Sequence, residues 1–275
     1  MLLASVSPTA EAVGLGSWIT NSTISAVITV ALIVGFVQIA TRKLALVPAG
    51  AQNFLEWAVE SLFALVESIV GAKLVRKVAP LLVSYFIFIL VANWSSLLPG
   101  VGSVGVVGEV HGQREFVPLL RGANADVNMT LALALSFMVI WFVWTIREVG
   151  LWGFIKHNFG PKGLLETTGL GLVAKALTVT LNAFLAFVFV GVGCIELISI
   201  ASRALSLPMR LYGNIFGGEN LVHALMGLGG PVGGVVFGTL AYGMELLVGL
   251  VQALVFLLLC AVYTQLSTAH EEEAH

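Results

Sequence analysis

The chain has 275 residues, of which 58% are hydrophobic and 10% are charged, and its mean hydropathy is +1.00. Soluble globular domains carry about 25% charged residues, so the composition excludes that class and indicates a polytopic membrane protein. The formal net charge is −2 and the sequence has no basic cluster and no Gly-rich phosphate loop, so we expect neither a nucleic-acid partner nor nucleotide chemistry within this chain.

The long apolar runs lack a two-residue alternation and therefore predict helices rather than barrel strands. The predicted fold class is all-α, as a single membrane domain over 1–275 with about five membrane-crossing helices. The crossings are expected at 21–41, 80–99, 128–147, 174–228 and 231–268. The last two form a helical hairpin far longer than a hydrocarbon core of about 30 Å requires, so we expect it to be tilted. Pro208 and the Gly217–Gly218 pair are the expected places for a bend.

The segment 50–71 differs from these runs because polar residues recur on one face at helical spacing. They are Gln52, Glu56, Glu60 and Glu67. The pattern predicts an amphipathic helix that does not cross the membrane. It could lie among the lipid headgroups or against protein, and its acidic face favours protein.

Basic residues indicate the orientation of the chain. The connections 41–79 and 147–175 hold Arg42, Lys43, Lys73, Arg76, Lys77, Arg147, Lys156, Lys162 and Lys175. By the positive-inside rule these connections are cytoplasmic, which puts the N-terminus outside and the C-terminus inside. The start of the chain resembles neither a cleaved signal peptide nor a transit peptide, which favours a bacterial inner membrane.

Two arginines, Arg203 and Arg210, stand within an apolar stretch. An arginine at the centre of a membrane helix costs about 2.5–3.5 kcal/mol and cannot lose its proton, so its presence calls for a function. Glu196 and Ser199 are within helical spacing of Arg203, so a structural pairing with them is enough to explain Arg203. Arg210 has no carboxylate within one helical turn.

If Gly229–Pro231 turns the chain, the last two helices pack antiparallel. Arg210 is then opposite Val251 and Gln252, and Glu219 is near Tyr242, one turn from Glu245. Ionisable and polar groups lie on both sides of Arg210: Glu219, His223 and Glu245 toward the outer side, and Glu196, Ser199 and Ser206 toward the inner side. This layout suits two offset proton routes, although the carboxylates could instead only neutralise the arginines. The histidines show no ligand spacing, and we expect no metal or other cofactor.

Four ordered motifs carry a resemblance to a known family. The stretch Ile195–Ser199 followed by Leu205–Glu219, which contains Arg210-Leu-Tyr-Gly-Asn214, resembles the signature of subunit a of the F-type ATP synthase. Three other stretches are similar to further motifs of that family: Gln52–Glu56, Phe86–Asn93 with Leu98–Gly100, and Ala125–Leu135. The resemblance runs from about residue 48 to 265. Tyr212 departs from it, since phenylalanine is usual there, and so does Pro208 in a helix that is usually uninterrupted.

The resemblance implies a stationary proton-channel subunit beside a rotating ring of c subunits, each with one carboxyl group at mid-membrane, together with peripheral-stalk b subunits. Arg210 matches the family's essential arginine, which separates two half-channels. Asn214, Glu219 and Glu245 would line the outer half-channel, with Asp126 and Asn128 near its mouth and Gln252 beside Arg210. Glu196 and Ser199 would belong to the inner half-channel. The coupling ion, H⁺ or Na⁺, stays open at this point.

Two other functions are compatible with intramembrane arginines. A secondary transporter could use them as an anion-substrate site, but it predicts an inverted repeat of hydrophobic segments that the sequence does not show. A non-transporting assembly scaffold would not explain why the polar residues cluster along one hairpin.

Overall fold

The protein is described by a computed structural model, which covers residues 20–102, 104–110, 113–159, 172–227 and 230–269. Its α-helices are α1 (Asn21–Ala40), α2 (Ala51–Val70), α3 (Ala72–Ser95), α4 (Val127–Phe159), α5 (Leu172–Met226) and α6 (Gly230–Ala269). Within these ranges, 5 helices are long and apolar enough to cross a membrane, and α2 is not one of them. The all-α polytopic class predicted from the sequence is confirmed.

A short β-hairpin in the connection between α3 and α4 was not predicted. Strand β1 (Gly105–Val110) pairs antiparallel with β2 (Gln113–Pro118), with Gly105 opposite Pro118. Valines in both strands favour extended backbone. The hairpin lies outside the apolar segments and leaves the helical class of the membrane part unchanged.

Helix α3 begins at Ala72, before the expected start at residue 80. Gly71, at φ 78°, adopts a backbone conformation open to glycine and ends α2, so that α3 can begin at the next residue. The first turns of α3 carry Lys73, Arg76 and Lys77. Their charges hid the start of the helix from a reading based on apolar runs.

The other long helices also differ in detail from the prediction. Gly150 has non-helical angles, φ 76° and ψ 157°, and separates the membrane-crossing part of α4 from a short helix that ends at Phe159. In contrast, α5 continues through Pro208 and through Gly217–Gly218 without a break. Proline is tolerated inside membrane helices when neighbouring groups satisfy the freed carbonyl. The expected bend sites therefore do not interrupt α5.

Residue contacts divide the chain into two compact units, Met1–Ala134 with Leu207–His275, and Leu135–Ser206. In the first unit, α3 packs against α1, α2 and α6. Leu82 and Ile89 of α3 and Phe256 and Leu257 of α6 are fully buried. In the second unit, Phe142 and Phe154 meet edge to face, with ring centroids 5.8 Å apart. The single membrane domain expected from the sequence stays a prediction.

The amphipathic helix α2 packs against α3 and α6 in the first unit. Its Val66 and Val70 are buried, whereas Trp57 is exposed. Gln52 anchors the start of the helix, since it bonds both backbone groups of Ala45 and donates to Glu56 Oε1 at 2.8 Å. This helix therefore contacts protein, as its composition favoured.

Polar side chains join the end of α3 to the middle of α6. Asn93 Nδ2 donates to the Gly249 carbonyl at 3.1 Å, and Trp94 Nε1 donates to the Leu246 carbonyl at 3.1 Å. Asn124 Nδ2 donates to Asn93 Oδ1 at 2.7 Å. Gly249 permits this approach, because a Cβ there would lie only 3.1 Å from the Asn93 Cβ. Asn93 thus connects α3, α6 and the loop before α4.

Replacing Asn93 should destabilise the first unit. Asn93→Leu keeps a similar volume but leaves the buried Asn124 amide without its acceptor, at a cost of about 1 kcal/mol or more. Thermal unfolding of the protein in detergent measures the effect. Ser84→Ala is the control, because exposed Ser84 donates only to Pro80 of its own helix. Equal unfolding temperatures for the two variants would contradict the assignment.

Candidate functional site

Several predicted site residues come together within the first unit. They belong to the second half of α5, the middle of α6, the loop that precedes α4 and the first turn of α4. The residues are Asp126, Asn128, Arg210, Asn214, Glu219, Glu245 and Gln252. Three of them, Asp126, Glu219 and Glu245, form together with Arg121 a group that is called the carboxylate cluster below.

The end of α5 and α6 pack antiparallel, as the sequence predicted. The Glu245 carboxylate of α6 lies against the backbone of Gly218 of α5, in the space that a Cβ would occupy. Further along, Asn214 Nδ2 donates to Gln252 Oε1 at 2.6 Å. Gln252 was expected opposite Arg210, and its partner is one helical turn further along α5.

Glu219 and Glu245 are neighbours across this helix pair. Glu245 is 6% exposed, and Glu219 is half-buried. The two carboxyl groups interact electrostatically, and so do Glu219 and Arg121. Like charges this close repel each other, so a proton bound by either group relieves the repulsion. The pair is therefore suited to bind and release a proton.

Arg121 belongs to a buried loop, residues 121–126, that covers the Glu219 side of α5. Its side chain is 4% exposed. The next residue, Gly122, lies close to Glu219, because a Cβ at Gly122 would be 3.4 Å from Glu219 Oε1 and 2.7 Å from the Ser96 Cβ. Glycine at this position lets the loop approach both α3 and α5.

Asp126 ends this loop and caps α4. Its Oδ1 accepts the backbone N–H of Asn128 at 3.0 Å and the Asn128 side-chain amide at 3.2 Å. Its Oδ2 accepts the Ser22 hydroxyl of α1 at 2.9 Å. A carboxylate that accepts an N–H at a helix start stabilises that helix. Asp126 is 3% exposed, whereas Asn128 is exposed.

Arg210 is exposed on a different side of α5 from Glu219. The two residues are nine positions apart, which is a rotation of about 180° at about 100° per residue. Around Arg210 the exposed surface of α5 is largely apolar, with Met209 44% exposed and Gly213 and Gly217 open, and Asn214 is an exposed polar side chain on it. No hydrogen bond or ion pair of Arg210 occurs within the described ranges.

Asn214 connects these two sides. It is exposed and lies four residues from Arg210, about 40° around α5. Its partner Gln252 is buried and is seven residues from Glu245, on the same face of α6. Gln252 therefore shares a face of α6 with Glu245 and bonds Asn214, which is near Arg210 around α5.

Three other predicted residues, Glu196, Ser199 and Ser206, belong to the second unit. In the second unit, Glu196 is exposed and Ser199 is half-buried, while the Ser206 hydroxyl donates to the Arg203 carbonyl at 3.4 Å. His223 is part of α5, but its side chain lies outside the described residues. Across the described ranges, no group of three or more His, Cys, Asp or Glu residues is placed to hold a metal ion.

Sequence reasoning missed the role of the loop before α4. It gave no site role to Arg121, Ser22 or Ser96. One signal was present, since Arg121 stands alone among apolar and small residues from Leu119 to Ala125. A solvated loop rarely has that composition, and a buried arginine needs a partner.

Comparisons with known proteins identify the family of the chain. The family model described as ATP synthase A chain matches residues 23–265. Among curated relatives named ATP synthase subunit a, the protein of Solidesulfovibrio magneticus is 33% identical over 84% of this chain and 77% of its own length. That of Mycobacterium ulcerans is 34% identical over 83% and 78%, and that of Gloeobacter violaceus is 31% identical over 89% and 82%. The chain therefore belongs to the family of ATP synthase A chains, the subunits a of ATP synthase.

Proposed function

We propose that this chain is the stationary proton-channel subunit of an F-type ATP synthase. In this role it forms two offset half-channels that deliver protons to the carboxyl groups of a rotating c-ring, and Arg210 separates them. The observation that carries the proposal is that Arg210 is exposed on the helix that also supplies Asn214, which bonds Gln252 of α6, and Glu219, which neighbours Glu245 of α6. Family membership favours this function over a secondary transporter, and the helices make the chain a multi-pass membrane subunit.

The surroundings of Arg210 call for a partner of opposite charge. A guanidinium that faces hydrocarbon is costly and stays protonated, so a surface that carries it among apolar side chains is stable only when covered. A carboxylate on a neighbouring helical subunit meets this need. As each ring carboxyl group passes Arg210, the positive charge favours its ionised form and so releases its proton.

The outer half-channel is proposed to lead from Asp126 and Asn128 to Glu219 and Glu245, with His223 alongside, and then past Gln252 and Asn214. Buried carboxyl groups and amides offer successive hydrogen-bonding positions in otherwise apolar surroundings. The step across the hairpin is supported by the 2.6 Å bond between Asn214 and Gln252. It ends at the surface where the ring would pass.

The inner half-channel is proposed to use Glu196, Ser199 and Ser206. Glu196 and Ser199 are three positions apart in α5 and share one face of the helix. The resemblance to the family motif Ile195–Ser199 supports this assignment. A permanent cation at Arg210 between the two half-channels would prevent protons from crossing directly, because a cation repels a positively charged proton carrier.

The expected setting is a bacterial inner membrane, with the N-terminus outside and peripheral-stalk b subunits beside the chain. The first turns of α3 carry Lys73, Arg76 and Lys77, which supports a cytoplasmic position for this end of the helix. A proton that crosses 100 mV releases about 2.3 kcal/mol, so synthesis of one nucleotide needs several protons. Repeated steps of a ring fit that need.

Removal of the charge at Arg210 should abolish coupled ATP synthesis. In Arg210→Ala the ring carboxyl group would no longer release its proton, and the two half-channels would no longer be kept apart. Packing within the chain should be unaffected, because Arg210 is exposed. ATP synthesis and ATP-driven acidification of membrane vesicles measure the loss, and native gels check assembly. Arg147→Ala, which removes an exposed arginine at the end of a span, should behave as wild type. Normal synthesis in Arg210→Ala contradicts the proposed function.

Displacement of the Glu245 carboxylate should slow proton translocation. In Gly218→Ala the new methyl group takes the space of that carboxylate, which can move because it ends a flexible side chain. We expect a decrease of roughly tenfold or more, since misplacement by about 1 Å can cost about a hundredfold. Gly243→Ala is the matched control on α6, because no side-chain or neighbouring atom lies within 4 Å of its added Cβ. Equal pumping rates in both variants would show that the position of the Glu245 carboxylate does not matter.

A further inference from the structure

We propose that Arg121 is a positioning residue of the outer half-channel, whose buried guanidinium holds the Glu219 carboxylate in place and compensates its charge each time it loses a proton. The inference rests on the proposed function of the carboxylate cluster. It assigns a role to a second arginine, in a loop, that is distinct from the role of Arg210 on α5.

The first support is the burial of Arg121 outside any helix. The side chain is 4% exposed, and all residues of its loop from 121 to 126 are buried. Arginine cannot discharge itself by losing a proton, so a buried guanidinium persists only beside a compensating negative charge. The partner must be a carboxylate of the same cluster.

The second support comes from the neighbouring carboxylates. Both oxygens of Asp126 are already engaged, Oδ2 with Ser22 and Oδ1 with Asn128. Glu219 interacts electrostatically with Arg121, and its Oε1 lies beside Gly122, the residue that follows Arg121 in the chain. Electrostatic interaction and proximity through Gly122 thus both favour Glu219 as the partner of Arg121.

The third support is the balance of charge. With Arg121 present, the pair formed by Glu219 and Glu245 can alternate between one and two ionised carboxyl groups, so that the net charge of these three residues alternates between 0 and −1. Without Arg121 it would alternate between −1 and −2. A second negative charge is far harder to hold in a medium of low dielectric constant, so the loss of Arg121 should hinder proton release.

Other groups face the same region and belong to the balance. Tyr212 of α5 is half-buried, stacks on Phe216 with ring centroids 5.3 Å apart, and interacts electrostatically with Arg121, Glu219 and Asp126. Glu245 reaches the cluster from α6, and Asp126 from the start of α4. Arg121 is the buried cation among these charged groups.

The experiment compares ATP synthase complexes that carry Arg121→Gln or Arg121→Lys, with Arg147→Gln as the control for loss of an exposed arginine. ATP-driven and passive proton flux in membrane vesicles are measured as a function of pH on the outer side of the half-channel. In Arg121→Gln we expect flux about tenfold slower. We also expect the decrease of its flux on the acidic side of the pH profile to move to higher pH by about one unit, because removal of a cation favours the protonated carboxyl group. Arg121→Lys should keep most of the wild-type profile.

A purely structural role for Arg121 gives a different result. The flux per assembled complex would then keep the wild-type pH profile in Arg121→Gln, and that outcome overturns the proposal. Equal profiles for Arg121→Lys and Arg121→Gln overturn it as well, because the retained charge would then be irrelevant.

If Arg121→Gln does not assemble, the double variant Arg121→Gln/Glu219→Gln decides. Removal of one positive and one negative charge leaves the net charge of the cluster unchanged, so assembly should return. A double variant that also fails to assemble contradicts the pairing. Arg210→Ala in the same vesicles separates the two proposals. If Arg210→Ala loses coupling while Arg121→Gln behaves as the wild type does, only the role of Arg121 is refuted. If Arg210→Ala keeps its coupling, the proposed channel itself is refuted.

Discussion

The cost of a charge in apolar surroundings is the constraint on which this structure depends. It gives the buried carboxylates and Arg121 their arrangement, because each charge there must be matched or neutralised within a few ångströms. The same cost applies to Arg210. Arg210 is exposed on α5, and under the proposed function the carboxyl groups of the ring compensate its charge. A moving partner can exploit this in a way that a fixed internal ion pair could not.

Small residues allow these charges to approach each other. Gly218 leaves room for the Glu245 carboxylate between α5 and α6, and Gly122 lets the loop of Arg121 lie against Glu219 and Ser96. Gly249 lets Asn93 reach the carbonyl groups of α6. The Glu245 carboxylate fills the space of the missing Cβ at Gly218, and side chains approach closely at Gly122 and Gly249. Glycine at these positions therefore determines both how closely the backbones approach and where the polar side chains of the site lie.

Prediction succeeded where a signal is local in sequence. Helical periodicity, apolar run length and the arginine motif identified the crossings, the amphipathic α2 and the polar faces of α5 and α6. It was less accurate at α3, where charges in the first turns concealed a helix that Gly71 allows to begin at Ala72. It was also less accurate in the pairing across the hairpin, where Gln252 bonds Asn214. Register between helices depends on how side chains fit together, which a count from an assumed turn cannot give.

The sequence by itself determined the membrane class, the helices and the family, because hydrophobicity, periodicity and ordered motifs are properties of short segments. Only the tertiary structure decided which charges meet. Residues 121 and 219 are far apart in the chain, and their proximity follows from the packing of a loop onto α5 through Gly122. Likewise, the sequence showed that Arg210 has no carboxylate within one helical turn, but only the fold put it on an exposed side of α5, away from Glu219. Coulomb energy depends on distance in space and on burial, and neither can be read from spacing along the chain.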